Sequence, residues 1–286
     1  MSNLWIVLVA AYGILKGMRD VFKKKAMEKS TVMEVLFFYT LLSFIFVLPQ
    51  CGDALEASPR DLFLTFIKST AIFIAWICSF KAISKVPISF YGVMDMAQLI
   101  FSTLLGVIVL NENMTLPRTI GFALVLVGLY LVNLKKSGDD KRIKPKYIIM
   151  ILISCLFNAV SGTFDKVLMQ TMTSSQLQFW YMLFLTLMYA VYMGLTRTKL
   201  NFKAMYKNLW IPLLAVLFVV GDKALFIANQ SPNSHVVVMT LIKQCCVIVT
   251  IIGGKIMFKE KNILYRILCS LIIILGITVA TVSSVV

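Results

Sequence analysis

Histidine is nearly absent: His235 is the single one in 286 residues. That excludes a zinc or haem site built on histidines, and a nucleophile activated by one. Acids are scarce as well, with 13 Asp and Glu against 28 Lys and Arg, for a formal net charge of +15. The six cysteines, Cys51, Cys78, Cys155, Cys245, Cys246 and Cys269, lie almost entirely within apolar runs. They show neither metal-ligand nor disulfide-framework spacing and read as small buried hydrophobes. No polar stretch is long enough for a soluble domain, and the basic residues cluster in short connectors rather than on a domain surface. Neither a nucleic-acid partner nor a cofactor is expected.

What remains is apolar. Hydrophobic residues make up 59% of the chain and charged residues 14%, with a mean hydropathy of +0.88. A soluble domain is about half apolar at most, so the composition is that of a polytopic membrane protein. A spanning helix needs roughly 20 apolar residues. Ten segments approach this: 3–25, 32–49, 62–83, 87–110, 116–134, 146–168, 175–196, 208–229, 234–258 and 262–283. "MSNLWIVLVAAYGILKG" has no basic n-region and no small-residue cleavage site, so a retained first helix is expected there.

Two halves resemble each other. At an offset of 148, Glu112 meets Glu260, Arg118 meets Arg266, Gly106 meets Gly254 and Gly128 meets Gly276. At 142, Phe22 meets Phe164, Lys24 meets Lys166, Phe37 meets Phe179 and Tyr39 meets Tyr181. The expected fold is an all-α membrane protein of ten transmembrane helices, arranged as two five-helix repeats over residues 1–136 and 147–286. A polar linker, 137–146, joins them. Five is odd, so the second repeat enters the membrane from the opposite side and the repeats are inverted.

The ends of the halves, "FKAISKVPISFYGVMDMAQLIFSTLLGVIVLNENMTLPRTIGFALVLVGLYLV" and "ALFIANQSPNSHVVVMTLIKQCCVIVTIIGGKIMFKEKNILYRILCSLIIILGITV", carry a resemblance. They resemble the EamA-type permeases of the drug/metabolite transporter superfamily. Where family members often carry a proline, Ala97 and Cys245 stand here, and Phe38 and Tyr39 lie near the place of a common arginine. The resemblance implies alternating-access transport of small metabolites, often export, with the third, fourth, eighth and ninth helices around a central cavity.

Ionisable residues within spans each cost on the order of 3 kcal/mol, so they need partners, water or a purpose. Tyr91, Asp95, Gln98 and Ser102 follow i, i+4, i+7, i+11 and share one helix face. Their counterparts at offset 148 are Met239, Lys243, Cys246 and Thr250. Asp95 and Lys243 are expected to pair across the repeat interface or to hold opposite ends of a zwitterion. Asp222 and Lys223 point about 100° apart, so one is expected to line the cavity and contact the solute while the other pairs with a neighbouring helix. Trp76 offers a stacking wall. Lys16, Arg19, Asp20 and Lys23 form one stripe, read as a helix emerging into headgroups with snorkelling lysines, or as the lining of an aqueous vestibule if the helix stays in the bilayer. Asp165 and Lys166 are expected at the membrane interface, and His235 opens the ninth segment. Glu112 and Glu260, each able to reach Arg118 or Arg266 across a turn, read as structural or gating residues.

Together these point to a transporter of a small polar solute, an amino acid or related zwitterion, by export, exchange or proton coupling. The alternative is a lipid-handling, flippase-like protein. No enzyme motif is visible. The expected partners are a small-molecule solute and the bilayer of the plasma or inner membrane, for a monomer or homodimer. The odd connectors are the basic ones, which places the termini outside by the positive-inside rule; the family resemblance places them inside.

Overall fold

The computed structural model describes residues 4–110, 116–134, 143–198, 207–230, 239 and 242–282. Among them the chain is helical, without a strand. The helices are α1 (Leu4–Ala26), α2 (Val32–Val47), a short α3 (Cys51–Ala54), α4 (Pro59–Ile83), α5 (Ile88–Asp95) and α6 (Gln98–Leu110). Then follow α7 (Leu116–Leu134), α8 (Pro145–Leu168), α9 (Ser174–Leu195), α10 (Trp210–Gln230), α11 (Cys245–Phe258) and α12 (Ile263–Val282). Five stretches are long and apolar enough to cross a membrane, within α2 and its 3₁₀ extension, α4, α8, α9 and α10.

Local chemistry sets the helix ends. Thr31 and Glu34 form a capping box at the start of α2, and Thr173 and Gln176 form its counterpart at α9, 142 residues on. Ser58 caps α4 through the Asp61 amide with Pro59 in the first turn, so this helix starts at 59 and not at 62. The segment expected to run unbroken from 87 to 110 is divided. The amides of Met96, Ala97 and Leu99 bond to carbonyls three residues back, a tightening that marks a hinge within a helix. The ninth segment is interrupted at the matching place, with Gln244 in a turn and the Val247 amide bonded to its carbonyl. Ala97 and Cys245 thus stand at helix breaks without being proline.

Side chains such as Val7, Phe63, Leu187, Val191, Val220 and Leu275 lie exposed on the outer faces, as lipid contact requires. Inside are two large apolar cores, one chiefly among α5, α7, α8, α11 and α12 and one among α2, α4, α9 and α10. α1 is held against α11 by small residues. A Cβ on Gly17 would stand 2.6 Å from the Cys246 carbonyl oxygen, and one on Gly13 would collide with the Cys245 sulfur. This small-xxx-small approach lets two backbones touch. It also draws the charged face of α1 into the bundle.

Candidate functional site

α1 carries its charges inward. Arg19, Asp20 and Lys23 are only 6%, 3% and 7% exposed, which corrects the expectation of snorkelling side chains at a headgroup boundary. The helix is walled by α4, α5, α10 and α11, so its polar heads find partners inside the bundle. Lys16 Nζ donates to Asp95 Oδ2 at 2.8 Å. Arg19 Nη1 donates to Asp222 Oδ1 at 3.1 Å, and its guanidinium lies 4.9 Å from the Phe218 ring centre. Lys23 donates to Asp20 at 2.7 Å and stands 5.2 Å from the Phe80 ring centre.

Asp95 closes the last turn of α5, immediately before the helix break. Tyr91, one turn earlier, donates its hydroxyl to Asp95 Oδ1 at 3.2 Å and shares a hydrogen bond with Ser79 at 2.8 Å. The Cys155 sulfur of α8 lies 3.6 Å from the Asp95 carbonyl. The cation at Asp95 therefore belongs to α1 and not to the ninth segment. Lys243 instead places its ammonium 5.9 Å from the centre of the Tyr12 ring. The break also interrupts the expected polar face: Tyr91 and Asp95 are buried, Gln98 is half-buried at the start of α6, and Ser102 is exposed.

Asp222 and Lys223 serve different neighbours, as adjacent helical residues must. Asp222 turns to Arg19, while Lys223 donates to Gln50 Oε1 at 3.1 Å and Ser175 Oγ at 2.7 Å. Asp165, expected at the membrane interface, faces Lys68 of α4 at 3.3 Å, and that ammonium lies 3.6 Å from the Tyr181 ring centre. Sequence reasoning gave Lys68 no role. A lone lysine in an apolar run was the available signal. Trp76 packs with Tyr39 and Phe218 at centroid separations of 5.2 and 5.4 Å.

A second cluster lies at one end of the bundle. Glu260, between α11 and α12, accepts from the first amides of α5, Ile88 N at 2.6 Å and Ser89 N at 3.0 Å. It also accepts from the Ser89 hydroxyl, from Lys24 Nζ at 3.3 Å and from Arg266 Nη1 at 3.0 Å. Arg266 donates to the Ser89 hydroxyl oxygen as well. Burial pushes the Glu260 carboxyl up, but Lys24 and the Ser89 and Ile88 donors outweigh it and hold the group below its ordinary value. The carboxylate ties α1, α5, α11 and α12 together at this end. Its counterpart Glu112 lies outside the described residues, as do His235 and the side chains of Arg118 and Lys166.

No group of three His, Cys, Asp or Glu suited to a metal ion occurs among the described residues. Among the described residues, the side chains around α1 offer recognition by charge, hydrogen bond and ring.

Residues 3–134 match the model of the EamA-like transporter family. A crystal structure described only as that of a protein is similar to this chain, with a TM-score of 0.62 at 11% identity, covering 94% of this chain and 98% of that one. At that identity the likeness shows a shared fold alone. No curated protein matches the sequence. The match over residues 3–134 and the five long apolar helices support a multi-pass membrane protein of the drug/metabolite transporter type.

Proposed function

We propose that the protein is an alternating-access transporter of a small polar solute bearing both charges, an amino acid or related zwitterion, in the plasma or inner membrane. The observation that carries this reading is the Lys16–Asp95 pair, 2.8 Å apart beside the break between α5 and α6. Desolvating two opposite charges is costly, and apolar replacements of similar volume often give equal or greater stability. A fold that keeps such a pair beside a hinge has a use for it. Asp95, Tyr91, Gln98 and Lys243 are the proposed solute contacts around the helix breaks, with Asp222, Lys223 and Trp76 on the adjoining helices.

The motion we assign is rocking of two inverted five-helix repeats, residues 1–136 and 147–286. Exchange of packing partners supports it. α4 packs on α8 as α10 packs on α1, and α4 packs on α9 as α10 packs on α2. α5 and α6 pack on α8 as α11 packs on α1, while α2 meets α9 and α7 meets α12. Each of these relations survives swapping the halves, which supports two related repeats. Glu260 and Arg266, paired at one end of the bundle, are then the proposed structural or gating residues, with Glu112 and Arg118 as their counterparts in the sequence.

Reconstitution in liposomes tests the reading. Counterflow of labelled amino acids is expected in wild type and is lost in Asp95→Asn. Unchanged counterflow in Asp95→Asn and Lys243→Met removes the site assignment. Translocation of fluorescent phospholipid without amino-acid uptake favours a lipid-handling protein instead.

A further inference from the structure

The aromatic frame beside Arg19 is symmetric in a way its charges are not. Tyr39, Trp76, Tyr181 and Phe218 pack ring to ring with centroids 5.2 to 6.4 Å apart. An offset of 142 carries Tyr39 onto Tyr181 and Trp76 onto Phe218. The same offset carries Arg19 onto Ser161, Asp222 onto Phe80 and Gln178 onto Leu36. Each of these three polar residues therefore has an uncharged counterpart, and packing of the frame does not require it.

Three buried polar atoms around the frame lack a hydrogen-bond partner among the described residues: Arg19 Nε, the Tyr39 hydroxyl and Gln178 Oε1. Their residues are at most 6% exposed, so solvent does not satisfy them freely, and unpaired buried polar atoms are uncommon. They converge on one layer. Arg19 lies over Phe218 and bonds to Asp222, and the Tyr39 ring is 5.5 Å from that of Phe218. Gln178 Nε2 donates to the Val219 carbonyl at 3.0 Å. Val219 follows Phe218 and precedes Asp222 by one turn. That bond fixes Oε1 as the free end of the amide.

The unpaired atoms differ in kind. Asp222 occupies Nη1 of the guanidinium and leaves Nε–H, part of the edge that grips a carboxylate with two parallel bonds. The Tyr39 hydroxyl is a second donor. Gln178 Oε1 and the Asp222 carboxylate accept.

We propose that Arg19, Tyr39, Gln178 and Asp222 bind the head of an α-amino acid. The carboxylate sits on Arg19 Nε and the Tyr39 hydroxyl, the ammonium on Gln178 Oε1 and Asp222, and the side chain lies against the rings. This site rests on the transport reading and moves recognition onto α1, α2, α9 and α10. It adjoins the Asp95 pair, because Lys16 precedes Arg19 by three residues on one face of α1.

The test is thermal unfolding of the purified full-length protein titrated with phenylalanine, phenylalaninamide, 3-phenylpropionate and inorganic phosphate. Phenylalanine is expected to stabilise the wild type, with the amide at least about tenfold weaker, since it lacks the anion that a charged hydrogen bond needs. Tyr39→Phe, which keeps the ring, and Arg19→Lys, which keeps the charge, each weaken phenylalanine about tenfold. The unliganded Tyr39→Phe protein unfolds at the wild-type temperature. Equal binding of acid and amide, an equal shift with phosphate, no shift with either carboxylate, or wild-type binding in both variants overturns the site. Liposome counterflow separates the two failures. Amino-acid transport that persists with wild-type KM in both variants removes this site and leaves the transport reading. Binding without any transport removes the transport reading and leaves the site.

Discussion

Lys16 and Asp95, 79 positions apart in the sequence, meet at 2.8 Å in the interior of the bundle. The helix that carries Lys16 is also pressed against α11, where Gly13 and Gly17 leave room for the backbone. The energetics of the ion pair follow from burial.

Removing one partner should cost more than removing both. Lys16→Met or Asp95→Asn leaves an uncompensated buried charge and is expected to destabilise by about 3–5 kcal/mol. The double variant, with no charge left over, should recover most of that loss. Thermal unfolding in detergent of the two single variants and the double reads this directly. A double variant as unstable as the sum of the singles contradicts the pairing.

Gly17→Ala should be costly where Gly162→Ala is not. A Cβ at Gly17 meets the Cys246 carbonyl oxygen at 2.6 Å, and backbone cannot swing aside, whereas a Cβ at Gly162 meets nothing within 4 Å. Overpacking of this kind costs about 1–3 kcal/mol. At Gly162 the exchange gains up to about 1 kcal/mol from helix propensity. Opposite signs in the unfolding temperature of the two variants are the expected result.

Much of the fold was legible because spanning helices announce themselves by length and apolarity. The two capping boxes lie 142 residues apart and the two helix breaks 148, the offsets of the matched pairs, but neither feature was foreseen, and nothing local in "DMAQ" or "KQCC" signals a break without proline. The burial of α1 was misread for a physical reason. A stripe of Lys, Arg and Asp looks the same whether it faces headgroups or a polar interior, and only the glycine contacts decide. The partner of Asp95 was hidden likewise, since the register between helices distant in sequence is set by packing. The unpaired atoms of Arg19, Tyr39 and Gln178 are invisible without coordinates.

Glu260 should make stability sensitive to acid. Its carboxyl is held below its ordinary value in the folded protein, despite burial, by Lys24 and the Ser89 and Ile88 donors. The folded state therefore binds the proton less readily than the unfolded chain. This stabilisation is complete above the unfolded value of about 4.3 and is lost as pH falls through the lower folded value. Unfolding temperatures measured from pH 6 downward should show this loss in the wild type, and a smaller one in Glu260→Gln. Equal acid sensitivity in both proteins counts against the cluster.

Removing Lys68 and Asp165 together should cost less than removing Lys68 alone. Lys68→Met leaves Asp165 without its cation, 3.3 Å away, and removes the ammonium over Tyr181. Lys68→Met with Asp165→Leu removes both charges and should be the more stable of the two. Chemical denaturation of the pair in one detergent ranks them. The reverse order contradicts the assignment of Asp165 to the interior.

Alternating exposure of the Asp95 region is the central claim, and Cys155 is placed to report it, buried with its sulfur 3.6 Å from the Asp95 carbonyl. A protein retaining Cys155 as its single cysteine, the other five replaced by serine, is treated with a membrane-impermeant maleimide in vesicles of both orientations. The account predicts modification from each side of the membrane, slowed when the transported amino acid is present in excess. Modification from one side alone, or from neither, contradicts it.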